Sequence, residues 1–103
     1  LSASPNPFSP NQDGIEDHTI IQYHLSRPAE LLNLKIFDIQ GRMVRFLLNN
    51  VKSPVNGYVT WDGTDDEGLQ CRIGIYIILI EAVNKVGKTI DLKKTTLVLA
   101  DRL

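Results

Sequence analysis

The sequence predicts an all-β fold, an immunoglobulin-like antiparallel β-sandwich of about seven strands in which residues 1–103 form one domain. Apolar and other side chains alternate with period two in most segments, which is the repeat of a strand with one buried face. These segments recur roughly every 8 to 12 residues with Gly, Pro and Asn turns between them, as in small sandwiches. No segment spaces its apolar positions as a helix does.

The first half of the chain predicts three strands. In HTIIQYHLS (residues 18–26) the odd-numbered positions share one face and the even-numbered positions share the other. Pro28 ends this strand. LLNLKIFDI (31–39) alternates in the same way, with its even-numbered apolar positions on one face. The glycine turn QGR (40–42) then leads into MVRFLL (43–48), which predicts a hairpin.

The second half predicts three further strands. NNVKSPVNG (49–57) has the composition of a turn and precedes the short strand YVTW (58–61). DGTDDEG (62–68) is the next tight loop. GIYIILIEAV (74–83) is the most apolar segment, and its continuous apolar character predicts a central strand with both faces largely covered. The last strand is expected from about Lys88 to Ala100.

Four residues should mark the core and the turns. Trp61 ends an alternating strand just before a tight turn, so we expect it to be buried in the core. It should pack on aliphatic side chains, because the cysteine pair of antibody domains is absent. Gly41, Gly68 and Gly87 should lie in turns, at least two of them with positive φ, where a β-carbon is penalised.

Composition excludes several classes of function. The net charge is -1, so there is no general electrostatic attraction to nucleic acid or to an anionic membrane. The single cysteine, Cys71, excludes an internal disulfide and a multi-cysteine metal site. No glycine-rich nucleophile turn surrounds Cys71, so we expect no catalytic residues in this chain. The longest apolar run, IYIILI (75–80), is too short to span a bilayer.

One segment could bind calcium. In NQDGIED (11–17), Asn11, Asp13 and Asp17 supply oxygen atoms around Gly14, and calcium takes such ligands on a sharply turning backbone. The segment is not an EF-hand loop, because the closing glutamate is absent. Asp and Asn also cap turns through their own backbone without any metal. We therefore expect no obligatory cofactor, with calcium at Asp13 and Asp17 as the alternative.

Two further groups of possible ligands differ in their spacing. DGTDDEG holds a second acidic cluster, Asp62, Asp65, Asp66 and Glu67, to which the same two interpretations apply. His18 and His24 share one face of a strand but lie roughly 20 Å apart at strand rise, so they cannot bind one metal together.

Several motifs in order resemble the immunoglobulin-like domain family first described in the flagellar hook-capping protein. They are SPNPF (4–8), SPNQDG (9–14), IQYHL (21–25), IFDIQGRMVR (36–45), WDGTDDEG (61–68) and GIY (74–76). The resemblance covers nearly the whole chain. Gln12 and Glu16 depart from the commoner SPNGDGIND form of the opening loop, which weakens a metal site carried over from the family.

Related domains are similar to the C-terminal sorting domains of type IX secretion in Bacteroidetes. The ending TTLVLADRL departs from the short basic ending of cleaved cargo and resembles a retained terminal domain, such as that of a PorU-type sortase. The resemblance implies a non-catalytic interaction and localisation module at the C-terminal end of a larger exported protein. It implies a protein partner, the outer-membrane secretion machinery, and placement at the cell surface.

Two other functions stay open at this stage: a structural spacer that positions an upstream catalytic or adhesive domain, and a calcium-dependent or glycan-binding module. For the docking function, the final strand is the candidate surface. There Lys93 and Lys94 have the character of charges that guard a sheet edge, and Leu97 and Leu99 would offer apolar contact. Neither nucleic acid nor insertion into a membrane is expected. The opening segment should be ordered without metal, because it holds three prolines and Phe8 can anchor it in the sandwich.

Overall fold

The computed structural model describes residues 1–10 and 17–101, which form two antiparallel sheets with a shared apolar core. The three-stranded sheet has the order β1-β2-β5, and the four-stranded sheet has the order β4-β3-β6-β7. These ranges contain no helix that could cross a membrane. The strands are β1 (Ser2–Ser4), β2 (Thr19–His24), β3 (Ala29–Asp38), β4 (Met43–Ser53), β5 (Asn56–Trp61), β6 (Gly74–Val83) and β7 (Thr89–Leu99).

The core lies between the two sheets and follows the predicted alternation. The odd-numbered positions of β2 and the even-numbered apolar positions of β3 point inward, so the face assignments for both strands are confirmed. Strand β6 contributes its even-numbered positions and β7 its last odd-numbered ones. The largest fully buried apolar side chains are Trp61, Phe8, Ile21, Leu25, Leu32, Leu34, Ile36, Ile78, Ile80, Leu97 and Leu99.

Trp61 occupies the centre of an aromatic cluster. Its side chain is 1% exposed, which confirms the predicted burial. Phe8 and Tyr76 each meet the indole edge-on, with ring centroids 5.7 Å away. The indole Nε1–H donates to the carbonyl of Thr64 at 2.8 Å. Two aromatic rings thus stand beside Trp61, where the sequence suggested aliphatic neighbours.

Strand β4 is longer than the sequence predicted. Residues 49–53 continue the strand, and β5 begins at Asn56, so only a short connection remains of the predicted turn. These residues pair with β3 across several register shifts. At one of them Asn50 adopts a φ of 54°, and its N–H donates to Asn33 Oδ1 at 2.9 Å.

Strand β6 is central, as predicted, but only one of its faces is covered. It pairs with β3 on one side and β7 on the other. Its even-numbered side chains are buried, whereas Ile75 is 46% exposed and Leu79 is half-buried. The prediction of two largely covered faces is therefore wrong. We call the side of the four-stranded sheet that points away from the core the outer face.

The three predicted turn glycines all adopt the left-handed backbone conformation. Gly41, Gly68 and Gly87 have φ values of 86°, 83° and 83°. In each turn the N–H of the glycine donates to the carbonyl three residues earlier, as where the N–H of Gly41 donates to the carbonyl of Asp38. This confirms the predicted turns.

Candidate docking surface

The sandwich has four edge strands, and two of them are short. β1 and β5 form the edges of the three-stranded sheet with 3 and 6 residues. β4 and β7 form the edges of the four-stranded sheet with 11 residues each. An edge strand carries unpaired backbone N–H and C=O groups, so a long edge offers the most complete template for another strand. The two long edges therefore decide where a partner strand could add.

The acidic loop after β5 covers the first part of the β4 edge. The N–H of Asp66 donates to the carbonyl of Val44 at 3.0 Å, and the Asp66 carboxylate accepts from the N–H of Phe46 at 3.0 Å. Arg45 ties the same loop down, since its Nη1 donates to the carbonyl of Asp65 at 2.9 Å. These contacts use the outward carbonyl of Val44 and the outward N–H of Phe46, and the register shifts farther along β4 interrupt the regular edge that an incoming strand would need.

The carboxylates of this loop cap turns within it. Asp62 accepts from the N–H and the hydroxyl of Thr64, and the hydroxyl contact is the main cause that lowers the pKa of this carboxyl. Asp65 Oδ1 accepts from the N–H groups of Glu67 and Leu69 at 2.9 Å each. Their geometry is the metal-free turn capping that was one of the two interpretations.

The calcium candidates fall mostly outside the described residues. Asn11 and Asp13 lie there, and Asp17 stands at the first described position after them. In the described ranges no three His, Cys, Asp or Glu side chains gather as a metal site would need. Calcium binding at Asp13 and Asp17 stays a prediction.

The opening segment covers one end of β7, and we call residues 5–10 the N-terminal strap. Asn6 imitates a strand residue: its Oδ1 accepts from the N–H of Val98 at 3.0 Å, and its Nδ2 donates to the carbonyl of Thr96 at 3.2 Å. The N–H of Phe8 donates to the carbonyl of Val98 at 3.1 Å, and the N–H of Ala100 donates to the carbonyl of Phe8 at 2.9 Å. Phe8 is fully buried, so its predicted role as the anchor is confirmed.

The strap leaves the middle of the β7 edge open. The N–H and C=O of Val98 both point outward to the strap. In a strand, the direction in which the backbone N–H and C=O groups point repeats every second residue. The N–H and C=O of Leu92 and Lys94 and the N–H of Thr96 therefore point outward as well. In the described part of the chain, no hydrogen bond reaches these five groups. We call them, with the Leu92 and Lys94 side chains, the open edge.

The residues predicted for partner contact divide between surface and core. Leu97 and Leu99 are 0% and 1% exposed, so their predicted role in apolar contact is wrong. They occupy odd-numbered positions of β7, which face the core. Lys93 is exposed, and its Nζ donates to the carbonyl of His24 at 3.0 Å, so it ties β7 to the end of β2. Lys94 stands exposed at the edge, as expected.

Leu92 is the surface residue that sequence reasoning missed. It is 62% exposed and shares its face with Lys94. The signal was the parity of the strand: once Leu97 and Leu99 are assigned to the core, every even-numbered position must face outward. The adjacent lysines at 93 and 94 hide that parity, because one charged residue falls on each face.

A latch between β7 and the β2–β3 connection fixes the other end of this strand. Asp91 is 9% exposed and accepts from the N–H and the hydroxyl of Ser26, both at 2.8 Å. The N–H contact is the main cause that lowers the pKa of the Asp91 carboxyl. The open edge is thus held between two fixed points, the Asp91 latch and the N-terminal strap.

The nucleophile candidate is not activated. Burial raises the pKa of the Cys71 thiol, so the reactive thiolate is disfavoured at neutral pH. Desolvation also raises the pKa of Tyr76 to about 12, and its hydroxyl donates to the carbonyl of Arg72 at 2.6 Å. The Tyr76 hydroxyl thus joins β6 to the chain segment before it.

Nearly the whole chain matches a known protein family. A model of the protein family described as CHU_C Type IX secretion signal domain matches residues 2–99. No curated protein sequence matches the chain.

Structures of two FlgD proteins are among the solved structures that resemble it. FlgD of P. aeruginosa superposes with a TM-score of 0.66 at 22% identity, over 84% of this chain and 64% of that one. FlgD from Xanthomonas campestris, described in connection with hook capping, gives a TM-score of 0.48 at 21% identity, over 80% and 66%. The chain thus spans just under two thirds of the length of these proteins. The first likeness shows that the fold is shared.

Proposed function

The chain belongs to the family of CHU_C type IX secretion signal domains, and from this membership we propose that it is the C-terminal docking module of a larger exported protein. A type IX secretion signal directs its protein through that secretion system toward the cell surface or the outer membrane, and it is a non-catalytic kind of domain. The proposal adds that outer-membrane secretion machinery binds this domain directly and that the domain holds its parent protein there.

The family match over residues 2–99 is the observation that carries this function. The surface chemistry supports recognition by a protein. The long β7 edge is open in its middle, and several apolar side chains of the neighbouring outer face are exposed, among them Met43 and Ile75, each at 46%. Open edges and exposed apolar groups are the features that protein partners use on a sandwich.

A domain-replacement experiment separates docking from a spacer role. The parent protein is expressed with residues 1–103 intact, deleted, or replaced by an unrelated β-sandwich of similar size. A docking module predicts that deletion and replacement both abolish surface placement while the upstream part remains folded. A spacer predicts that the replacement restores placement. Surface protease accessibility and fractionation of the outer membrane provide the readout.

A further inference from the structure

The two edges of the four-stranded sheet differ in how other segments of the chain cover them. The inference drawn from this difference rests on the proposed docking function. The acidic loop covers the start of β4 at Val44 and Phe46, and register shifts interrupt the strand beyond it. The strap covers β7 from Thr96 onward. Natural sandwiches cover or block their long edges, since an open one pairs with other chains. The middle of the β7 edge is thus left accessible between the Asp91 latch and the N-terminal strap.

The open edge also carries a defined charge. Along one row of the outer face, Leu79 lies between Lys35 and Lys94 as their direct cross-strand neighbour. The Lys35 ammonium stands 5.0 Å from the centre of the Phe46 ring. No ion pair holds either lysine in the described part of the chain. Glu81, the nearby carboxylate of this face, lies one row away, opposite Leu92.

We propose that the open edge accepts an extended segment of the partner protein as an added strand, with an acidic side chain opposite Lys94 and an apolar side chain opposite Leu92. The five outward backbone groups would supply the ladder hydrogen bonds, which are independent of sequence. The two side chains set the preference, since opposite charges directly across a strand pair attract and like charges repel. The added strand would also extend the apolar outer face.

A second copy of this chain fits the same edge poorly. Antiparallel pairing of two β7 edges about a twofold axis near Lys94 brings the lysines of the two copies close together. That repulsion disfavours self-association and leaves an acidic segment unopposed. Lys94 therefore discriminates between partners as well as attracting one.

Hydrogen exchange at the backbone N–H groups of the domain, measured with and without a synthetic peptide, tests the mode of binding. The probe, called the valine–glutamate peptide, is a capped nine-residue peptide of sequence TVTETVTET, which places valine and glutamate two residues apart on one face, as Leu92 and Lys94 are on β7. The control peptide has lysine in place of glutamate. We expect the valine–glutamate peptide to slow hydrogen exchange at the N–H groups of Leu92, Lys94 and Thr96. The N–H of Val98, already bonded to Asn6, should be protected with or without peptide. No slowing, or equal slowing by both peptides, overturns the proposal.

Two variants make the test specific. Lys94→Glu should weaken binding of the valine–glutamate peptide about five- to tenfold and favour the lysine peptide, because an attractive cross-strand pair becomes a repulsive one. Leu92→Pro should abolish binding while its β6 pairing remains, since the lost N–H points outward. Lys94→Glu alone decides the case if the proline variant does not fold. Unchanged peptide preference in Lys94→Glu overturns the proposal.

The same substitution in the parent protein separates this inference from the proposed function. A parent that loses its placement on domain replacement, yet localises normally with Lys94→Glu, still docks but by another surface. That result overturns strand addition and leaves the secretion function standing. Loss of placement in both supports the open edge as the docking site.

Discussion

At the scale of single residues, Trp61 is the largest fully buried side chain of the described core. It is 1% exposed, meets two aromatic rings edge-on and donates its indole N–H. Trp61→Ala should lower the free energy of unfolding by about 3 to 5 kcal/mol, the cost of truncating a buried aromatic residue. Urea denaturation must be followed by circular dichroism, because this is the only tryptophan.

Tyr58 offers the matched control for that prediction. It lies three residues before Trp61 in the same strand, β5, but is 71% exposed. Tyr58→Ala should change the free energy of unfolding by no more than about 0.5 kcal/mol, as is usual at exposed positions. Equal losses in the two variants would contradict the central role of Trp61.

Asp91 should make stability depend on pH. The Ser26 contacts lower the folded-state pKa of this carboxyl. The carboxylate therefore stabilises the fold at pH values above the unfolded-state pKa of about 3.9, and this stabilisation is lost as the pH falls through the folded-state pKa. Asp91→Asn should lower the free energy of unfolding by about 1 to 3 kcal/mol at neutral pH. The difference from the parent sequence should shrink below about pH 3, whereas a constant difference across pH would exclude this cause. Glu67→Gln, at an exposed loop position, is the control expected to leave the free energy of unfolding at neutral pH nearly unchanged.

At the scale of elements, the N-terminal strap protects the end of β7 through one side chain. Asn6→Ala removes its bonds to Thr96 and Val98. We expect much faster hydrogen exchange at the Val98 N–H, because that donor then faces water. The N–H of Ile80 in the central strand should keep its slow exchange and serves as the internal control. Unchanged exchange at Val98 would show that Phe8 alone covers this edge.

The opening loop carries the calcium prediction. If Asp13 and Asp17 bind calcium in the folded state, the melting temperature must rise with excess calcium and fall with a chelator, since a ligand of the folded state stabilises it. Asp13→Asn should remove the rise. An identical melting temperature under both conditions would end the metal hypothesis for this loop.

Local pattern predicted some elements well and others poorly. The faces of β2 and β3 follow from alternation, because one side of each strand must be buried. The end of β4 does not follow, since the polar residues after Leu48 stay in the strand only through their irregular pairing with β3. Strand preference depends on the partner strand, which a local sequence does not contain.

At the scale of the whole molecule, the sequence predicted the sandwich and the family resemblance but not the arrangement of edges. Which strand borders which is set by long-range pairing, so the cover of β4 by the acidic loop could not be read from composition. The candidate strand was correct as an edge. Two of its predicted contact residues, Leu97 and Leu99, were wrong because they lie in the core. Only their burial shows which alternate positions of β7 face inward.

The most direct test of the central claim is to transplant the domain. Residues 1–103 are fused to the C-terminus of a folded reporter that carries an export signal to the periplasm, in a strain with type IX secretion and in an isogenic strain without it. We predict that the reporter reaches the cell surface only in the competent strain and that the reporter without the domain stays in the periplasm. A fusion that remains in the periplasm of the competent strain, or that reaches the surface of both strains equally, would contradict the claim that this domain is a type IX secretion and localisation module.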